Sequence, residues 1–560
     1  MTRAWWKEAV IYQVYPRSFM DSNGDGIGDI NGIREKLPYI RELGADAIWI
    51  CPVFDSPNAD NGYDIRDYQS IMPEFGTMDD FDALLTEAHQ LGMKLIIDLV
   101  INHTSDEHPW FIESRAERNS GKRDWYIWQD GKDGSEPNNW ESIFGGSAWT
   151  YDEKTEQYYL HLFHEKQPDL NWENSDMRSA LYDMVNWWLQ KGIDGFRVDA
   201  ISHIKKKEGL PDLPNPEGLS FVPSFAYHMN VDGIIALLQE LKENTFAGYP
   251  HIMTVGEANG VSAEEAEDWV GESNGIFSMI FQFEHLGLWG IEGGELDLPE
   301  LKRILSNWQS ALEGKGWNAL FIENHDQPRA VSVWGDDGKY RVDSAKALAA
   351  MYFLMKGTPF IYQGQEIGMT NAIFFDIDDY DDVSIKNDYR IQKEKGRSHE
   401  DIMKAVWKKS RDHARTPMQW TDRPNAGFTK GEPWLCMNEN YKLINTVHQQ
   451  HDPRSVYHFY KRLIAIRKRY DVFIDGSYEL LLPEDRQIFA YLRKLREETA
   501  IVIVNLSARQ AYYHHPAYPL CTDGLLLSNA DINAHKHLTS FVMKPYEARV
   551  YMIRQEIGDL

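Results

Sequence analysis

From residue 10 to residue 362 the chain alternates short apolar, β-branched runs with amphipathic stretches. The runs at 10–14, 47–52, 95–102, 195–199, 252–257, 276–281, 319–324 and 358–362 read as strands. The segments at 32–43, 78–91, 177–191, 231–246, 299–312 and 344–355 carry helical spacing. A run such as Leu95-Ile96-Ile97-Asp98-Leu99-Val100-Ile101 is almost continuously apolar. Parallel strands covered by helices have this composition, because both their faces are buried. Eight strands alternating with helices predict an α/β fold, a (β/α)8 TIM barrel, whose working residues stand at the C-terminal strand ends.

Two stretches depart from the alternation. Roughly 90 residues separate the third and fourth strands, far more than an ordinary βα loop holds. Their bulk, 104–174, is rich in Trp, Tyr, Gly and Asn and reads as a small inserted subdomain overhanging the barrel mouth. From about residue 478 the pattern becomes strict alternation with turns, as in Gln487-Ile488-Phe489-Ala490-Tyr491-Leu492, which predicts a C-terminal antiparallel β domain. The expected division is barrel at 1–103, insertion at 104–174, barrel again at 175–477 and β domain at 478–560.

Three of the runs end in acidic residues: Gly195-Phe196-Arg197-Val198-Asp199, Thr254-Val255-Gly256-Glu257 and Phe321-Ile322-Glu323-Asn324-His325-Asp326. Strand alternation sends Arg197 and Asp199 to one face, where a guanidinium favours an ionised carboxylate, the form a nucleophile needs. Read alone, that motif is equally a structural ion pair. Three carboxylates from three strands are what glycoside chemistry requires. Composition agrees: a net charge of −28 argues against nucleic-acid or anionic-membrane partners, and aromatic residues at 13% suit stacking on sugar faces. Cys51, Cys436 and Cys521 are odd in number and lack metal-ligand spacing, residues 1–8 hold no apolar leader core, and no run approaches 18 apolar residues. A soluble cytoplasmic protein is expected, a monomer or weak homodimer without an organic cofactor.

The segments Asp98-Leu99-Val100-Ile101-Asn102-His103, Gly195 through Ala200, Val255-Gly256-Glu257, Glu323-Asn324-His325-Asp326 and Gln167-Pro168-Asp169-Leu170-Asn171 resemble, in this order, glycoside hydrolase family 13, the α-amylase family, in its oligo-1,6-glucosidase and α-glucosidase subgroup. The resemblance spans the chain. It implies a retaining double displacement with Asp199 as nucleophile, Glu257 as an acid/base that starts protonated, and Asp326 stabilising an oxocarbenium-like transition state. It further implies that His103 and His325, as neutral imidazoles, meet sugar hydroxyls, and that Tyr63 stacks on the terminal glucose while Asp60 grips its far hydroxyls. Arg411 resembles the arginine paired with that aspartate, with Arg415 as the alternative; such a pair closes the pocket and imposes exo cleavage. Phe144, Phe163 and Gln167 resemble site-lining positions of the inserted domain.

Asp21-Ser22-Asn23-Gly24-Asp25-Gly26-Ile27-Gly28-Asp29 places oxygen donors at positions 1, 3, 5 and 9 and a carbonyl at 7, like the front of an EF-hand loop. Position 12 is Gly32 and no helix is predicted before it, so it is not an EF-hand. Subgroup members resemble it and hold a structural cation; calcium on Asp21, Asn23, Asp25, the Ile27 carbonyl and Asp29 is expected, with magnesium as the alternative. Ala200 is the informative departure, where the subgroup's α-1,6 enzymes typically carry Val and maltase-like enzymes Thr. A small residue beside the aglycone predicts a broad α-glucosidase acting on short neutral oligosaccharides and on sucrose. The alternatives are oligo-1,6-glucosidase, trehalose-6-phosphate hydrolase, sucrose isomerase and a catalytically silent binding or transporter-associated homologue.

Overall fold

The computed structural model describes residues 3–288 and 296–553. Eight parallel strands, β1 (Ile11–Val14), β2 (Ala47–Ile50), β3 (Lys94–Val100), β4 (Gly195–Asp199), β5 (Met253–Glu257), β6 (Met279–Phe281), β7 (Ala319–Leu320) and β8 (Thr358–Tyr362), pair in the order β6-β5-β4-β3-β2-β1-β8-β7. Each lies on one of the expected runs. Between β6 and β7 the ring closes by packing, with the Phe281 and Phe321 centroids 4.9 Å apart. Inside, Ile11, Trp49, Ile96, Met253, Met279, Phe281 and Phe360 fill the barrel as a buried cluster, so it is a core and not a pore.

β7 is shorter than its apolar run. The Phe321 carbonyl accepts from His285 Nε2 at 3.1 Å instead of joining a ladder, and Glu323 turns to Arg329 at 2.7 Å and to the amide of Ala330. At the other extreme, β4 and β5 approach very closely at Gly195. Its φ is 155°, and a Cβ there would sit 1.8 Å from the Met253 carbonyl oxygen, so only glycine fits.

Outer helices follow the predicted segments, including Ile30–Leu43, Met78–Gln90, Ser175–Lys191, Ile234–Asn244, Leu298–Ala311 and Arg341–Phe353. Most start with a side-chain cap; Thr77 and Asp80 form a reciprocal capping box. Between β3 and β4, strands Trp128–Gln129, Trp149–Asp152 and Gln157–Leu160 form an antiparallel sheet, and Trp140, Ala148, Trp149, Leu160 and Leu162 make a separate small core. After β8 the chain forms two helices that the periodicity reading left unassigned, Val383–Glu394 and His399–Lys409, with a core of their own around Phe374, Tyr380, Ile385 and Met403.

The C-terminal unit is a five-stranded antiparallel sheet made from Ser477–Leu481, Ile488–Leu495, Glu498–Asn505, Ala548–Ile553 and Leu525–Ser528. The last residues of the expected β domain, 554–560, lie outside the described residues. It is fastened to the barrel by Arg493, whose buried guanidinium donates to the carbonyls of Leu354 (2.6 Å), Phe473 (2.9 Å) and Gly476 (2.7 Å). No helix of the described residues is long and apolar enough to cross a membrane.

Candidate active site

The site follows from strand register. β4 pairs with β3 so that Arg197 faces Asp98, and with β5 so that Val198 faces Gly256. One residue further on, Asp199 and Glu257 emerge side by side at the C-terminal rim. Arg197 joins all three carboxylates: Nη1 donates to Asp98 Oδ1 at 2.8 Å and to Asp199 Oδ1 at 2.5 Å, and Nη2 lies 2.9 Å from Glu257 Oε2. Asp98, which the sequence reading quoted but gave no role, also accepts from Trp49 Nε1 at 3.0 Å.

Burial pushes the Asp199 carboxyl well up. Arg197 opposes the rise, and the nearby charges of Glu257 and Asp98 add to it. Burial likewise raises Asp98, against Arg197. Arg197 therefore favours the ionised form of Asp199, as expected, but against the burial that raises both Asp199 and Asp98. Ala200, the residue after Asp199, is left-handed with φ 45°, and its amide donates to Glu257 Oε2 at 2.9 Å.

Asp326 stands across the pocket. Burial would raise its pKa, but His325, Arg411 and Arg415 outweigh burial and hold it well below the usual carboxylate range. Arg415 Nη2 donates to Asp326 Oδ1 at 2.7 Å, Arg411 Nη1 reaches the same oxygen at 3.3 Å, and His325 Nε2 lies 3.1 Å from Oδ2. His325 corrects an expectation. Although burial opposes its charge, Asp326 raises its pKa to about 10, which favours the protonated ring over the expected neutral one, while the Gln13 amide nitrogen beside Nδ1 suits a bare ring nitrogen there. It stacks on Tyr63, with centroids 5.4 Å apart and planes 9° from parallel, and its Nδ1 meets the Gln13 amide at 2.9 Å. His103 matches the neutral form expected of it, because burial lowers its pKa.

The far end is closed differently from the expected Asp60–Arg411 pair. Arg411 grips Asp382, 2.6 Å from Nη2, and its guanidinium lies 5.2 Å over the Phe144 ring. Among the described residues Asp60 makes no ion pair with Arg411 or Arg415. It accepts from Gln167 Nε2 at 3.0 Å, and the same nitrogen lies 3.1 Å from His103 Nε2. Asp382, at the N-cap of helix Val383–Glu394, is the buried partner that Arg411 takes in place of Asp60. Phe163 lies beside His103 (5.1 Å) and Phe144 (5.6 Å). Asn61 Nδ2 donates to Asp381 Oδ2 at 3.0 Å and Asn387 Nδ2 to the Phe144 carbonyl at 3.3 Å, so three segments distant in sequence meet at the rim.

The metal-loop residues lie apart from this pocket. Asp21 accepts from the amides of Asn23, Gly24 and Gly26, Asn23 from Asp25, and Asp25 from Ile27. Asp29 accepts from Ser22 and caps the helix Ile30–Leu43 through the Gly32 amide. The donors are all oxygens, the chemistry a hard cation takes. Among the described residues no three His, Cys, Asp or Glu side chains gather into a metal cage.

A parallel barrel whose C-terminal mouth presents adjoining carboxylates on one guanidinium, with a third carboxylate held by two further arginines, has the residues a glycoside hydrolase uses. The alpha amylase catalytic domain matches residues 13–476, and the maltogenic amylase C-terminal domain matches residues 478–550. The chain belongs to the α-amylase family. It is 69% identical over 553 residues to the probable oligo-1,6-glucosidase 3 of Bacillus subtilis (strain 168), a match covering 99% of this chain and 100% of that one. Among solved structures, a mutant trehalose-6-phosphate hydrolase of Bacillus licheniformis is similar with a TM-score of 0.93 at 44% identity, covering 99% of this chain and 100% of that chain. The isomaltulose synthase of Klebsiella sp. LX3 is similar with a TM-score of 0.94 at 42% identity and the same coverage.

Proposed function

We propose that this protein is a retaining, exo-acting α-glucosidase that removes one terminal glucose from short neutral oligosaccharides, α-1,6- and α-1,4-linked, and from sucrose. The observation that carries the exo reading is the set of contacts at the far end of the site. Asp60 accepts from Gln167, which also meets His103, and Arg411 holds Asp382 and lies over the Phe144 ring. A site blocked by these contacts admits a chain end and no continuing chain. In the reaction Asp199 attacks the anomeric carbon as a carboxylate while Glu257 gives its proton to the departing glycosidic oxygen. Water, deprotonated by Glu257, then releases glucose from the glycosyl ester. Asp326, held anionic by His325, Arg411 and Arg415, stabilises the positive charge that develops on the sugar ring.

Intact Asp199, Glu257 and Asp326 argue against a silent binding homologue. The run 205–207 offers little for phosphate recognition, since two of its three cations are taken: Lys205 pairs with Glu173 at 2.5 Å and buried Lys206 with Asp169 at 2.6 Å, which leaves Lys207, over the Tyr227 ring. The Arg/Asp-rich loop of sucrose isomerases is absent after β6, where Phe281-Gln282-Phe283-Glu284-His285 stands. We further propose calcium at the 21–29 loop, supported by its oxygen donors, and a cytoplasmic monomer or weak homodimer, supported by its three free cysteines. Initial rates on p-nitrophenyl α-glucoside, maltose, isomaltose, sucrose, trehalose and trehalose-6-phosphate, with NMR of the first-formed anomer, test the reading. α-Glucose released from chain ends is expected; β-glucose, internal cleavage or no turnover overturns it.

A further inference from the structure

Arg329, shortly after Asp326 in the chain, is wholly buried. A guanidinium carries five N–H donors and no acceptor, and here every donor is engaged. Nη1 donates to Glu323 Oε1 at 2.7 Å and to the Gln363 carbonyl at 2.8 Å, and Nε to the His413 carbonyl at 3.3 Å. Nη2 donates to the Ala414 carbonyl at 3.2 Å and to Met369 Sδ at 3.8 Å. No donor is left for a substrate, so any part Arg329 has in the reaction goes through its neighbours.

Those neighbours are the supports of Asp326. Glu323 opens the Glu323-Asn324-His325-Asp326 stretch, and its second oxygen accepts from the Ala330 amide at 2.8 Å. His413 and Ala414 belong to the single-turn helix Asp412–Arg415, which Arg411 precedes and Arg415 ends; both arginines donate to Asp326 Oδ1. The last carbonyls of a helix have no donor within it, so outside partners decide where the turn sits. The Ala414 carbonyl accepts from Arg329 and from the Tyr362 hydroxyl at 2.8 Å, and the His413 carbonyl from Arg329 and the Thr416 hydroxyl at 3.1 Å. Arg329 also grips Glu323, and so spans from the stretch that carries the carboxylate to the turn that carries its two arginines.

We propose that Arg329 is a positioning residue of the reaction: its fork joins the Asp326 stretch to the Asp412–Arg415 turn and thereby fixes how Asp326 meets Arg411 and Arg415. Asp326 acts on charge that develops only in the transition state. Loosening the joint therefore lowers kcat and spares KM. Lysine keeps the charge, but its donors radiate from one atom and do not span the acceptors that the planar fork spans. This rests on the α-glucosidase reading, which turnover of p-nitrophenyl α-glucoside by the unaltered enzyme tests separately.

The experiment compares Arg329→Lys with the unaltered enzyme on p-nitrophenyl α-glucoside, inhibited in turn by deoxynojirimycin and by D-glucose. The first is a protonated iminosugar that carries the charge of the transition state; the second is neutral. In the variant kcat should fall by roughly 10–100-fold, the effect of a misplacement of about 1 Å, with KM held within about twofold. The inhibition constant of deoxynojirimycin should rise about tenfold while that of glucose stays within about twofold. A folded variant with a lower Tm but unchanged kcat, or with equal losses for both inhibitors, has lost structure alone and overturns the proposal. Should Arg329→Lys fail to fold, Tyr362→Phe decides it by removing the other donor to the Ala414 carbonyl. That variant should weaken deoxynojirimycin more than glucose, and an unchanged ratio of the two overturns the proposal.

Discussion

The amide of Ala200 lies 2.9 Å from Oε2 of Glu257, and Ala200 reaches it from left-handed backbone, with φ 45° and ψ 31°. The residue that separates this chain from its subgroup is thus also a strained residue that steers a donor onto the acid/base. For any residue with a Cβ that conformation costs about 1–2 kcal/mol, and for a β-branched one more. Ala200→Val and Ala200→Thr should each lower Tm by several degrees, whereas Ala200→Gly should not. The resemblance sets the direction in specificity: Val should raise the isomaltose-to-maltose ratio of kcat/KM and Thr should lower it, by roughly 10–200-fold for a misplaced methyl group. An unmoved ratio would place linkage control elsewhere, such as the loop at 258–260.

Asp199→Asn should reduce kcat by several orders of magnitude, since an amide forms no glycosyl ester. Glu257→Gln should retain far more activity on p-nitrophenyl α-glucoside than on maltose, because a good leaving group needs little proton assistance. Steady-state rates on both substrates check this. Near-native activity of Asp199→Asn would refute the nucleophile assignment.

The His325–Asp326 pair sets a pH window for stability. Asp326 is depressed, so its contribution is full above the ordinary carboxylate range and lost as pH falls. His325 is raised to about 10, so its contribution is full below about 6.5 and fades as pH rises through 10. Asp326→Asn should remove the chief source of the His325 charge, and that ring should then titrate several pH units lower. An NMR titration of the His325 ring reads this; an unchanged midpoint means that Asp326 is not what holds the proton.

Arg493 should matter for stability and not for chemistry. Arg493→Met strips the Leu354, Phe473 and Gly476 carbonyls of a buried donor. At about 1–3 kcal/mol for each carbonyl left unsatisfied, the loss is large. Thermal unfolding should shift down by several degrees or split into two transitions, with kcat at low temperature preserved. A Tm equal to that of the unaltered protein would count against the fastening role.

If the 21–29 loop holds calcium, a crystal grown with it should show an ion with oxygen ligands at about 2.3–2.6 Å. Chelation should lower Tm more than kcat, because the loop stands away from the pocket. No ion density together with no thermal response to a chelator would remove the metal.

The barrel was legible because a strand buried on both faces has to be apolar and short, and every strand but β7 ended close to the end of its run. The catalytic carboxylates were legible for a related reason: alternation alone puts Arg197 and Asp199 on one face, and charged residues after apolar runs stand out. The pocket's closure was not. Nothing local ties Arg411 to Asp382, 29 positions earlier, and an acidic stretch such as 376–382 looks the same whether exposed or buried. The helices Val383–Glu394 and His399–Lys409 did carry a local signal, Asp382 and Ser398 as N-caps, which a search for periodicity alone passed over. The charge of His325 depends on Asp326 folding back toward it, and composition does not encode that.

The rim contacts among Asn61, Phe144, Asp381 and Asn387 have a bearing on how selectivity arises during folding. The carboxylate cluster needs only neighbouring strands, whereas the blind end needs three remote segments to dock. A chain with a finished barrel but an undocked helical pair has its nucleophile and acid in place without any means of telling a chain end from a chain middle. Bond cleavage is a property of the barrel; the counting of one sugar at a time is a property of the edge that these contacts close.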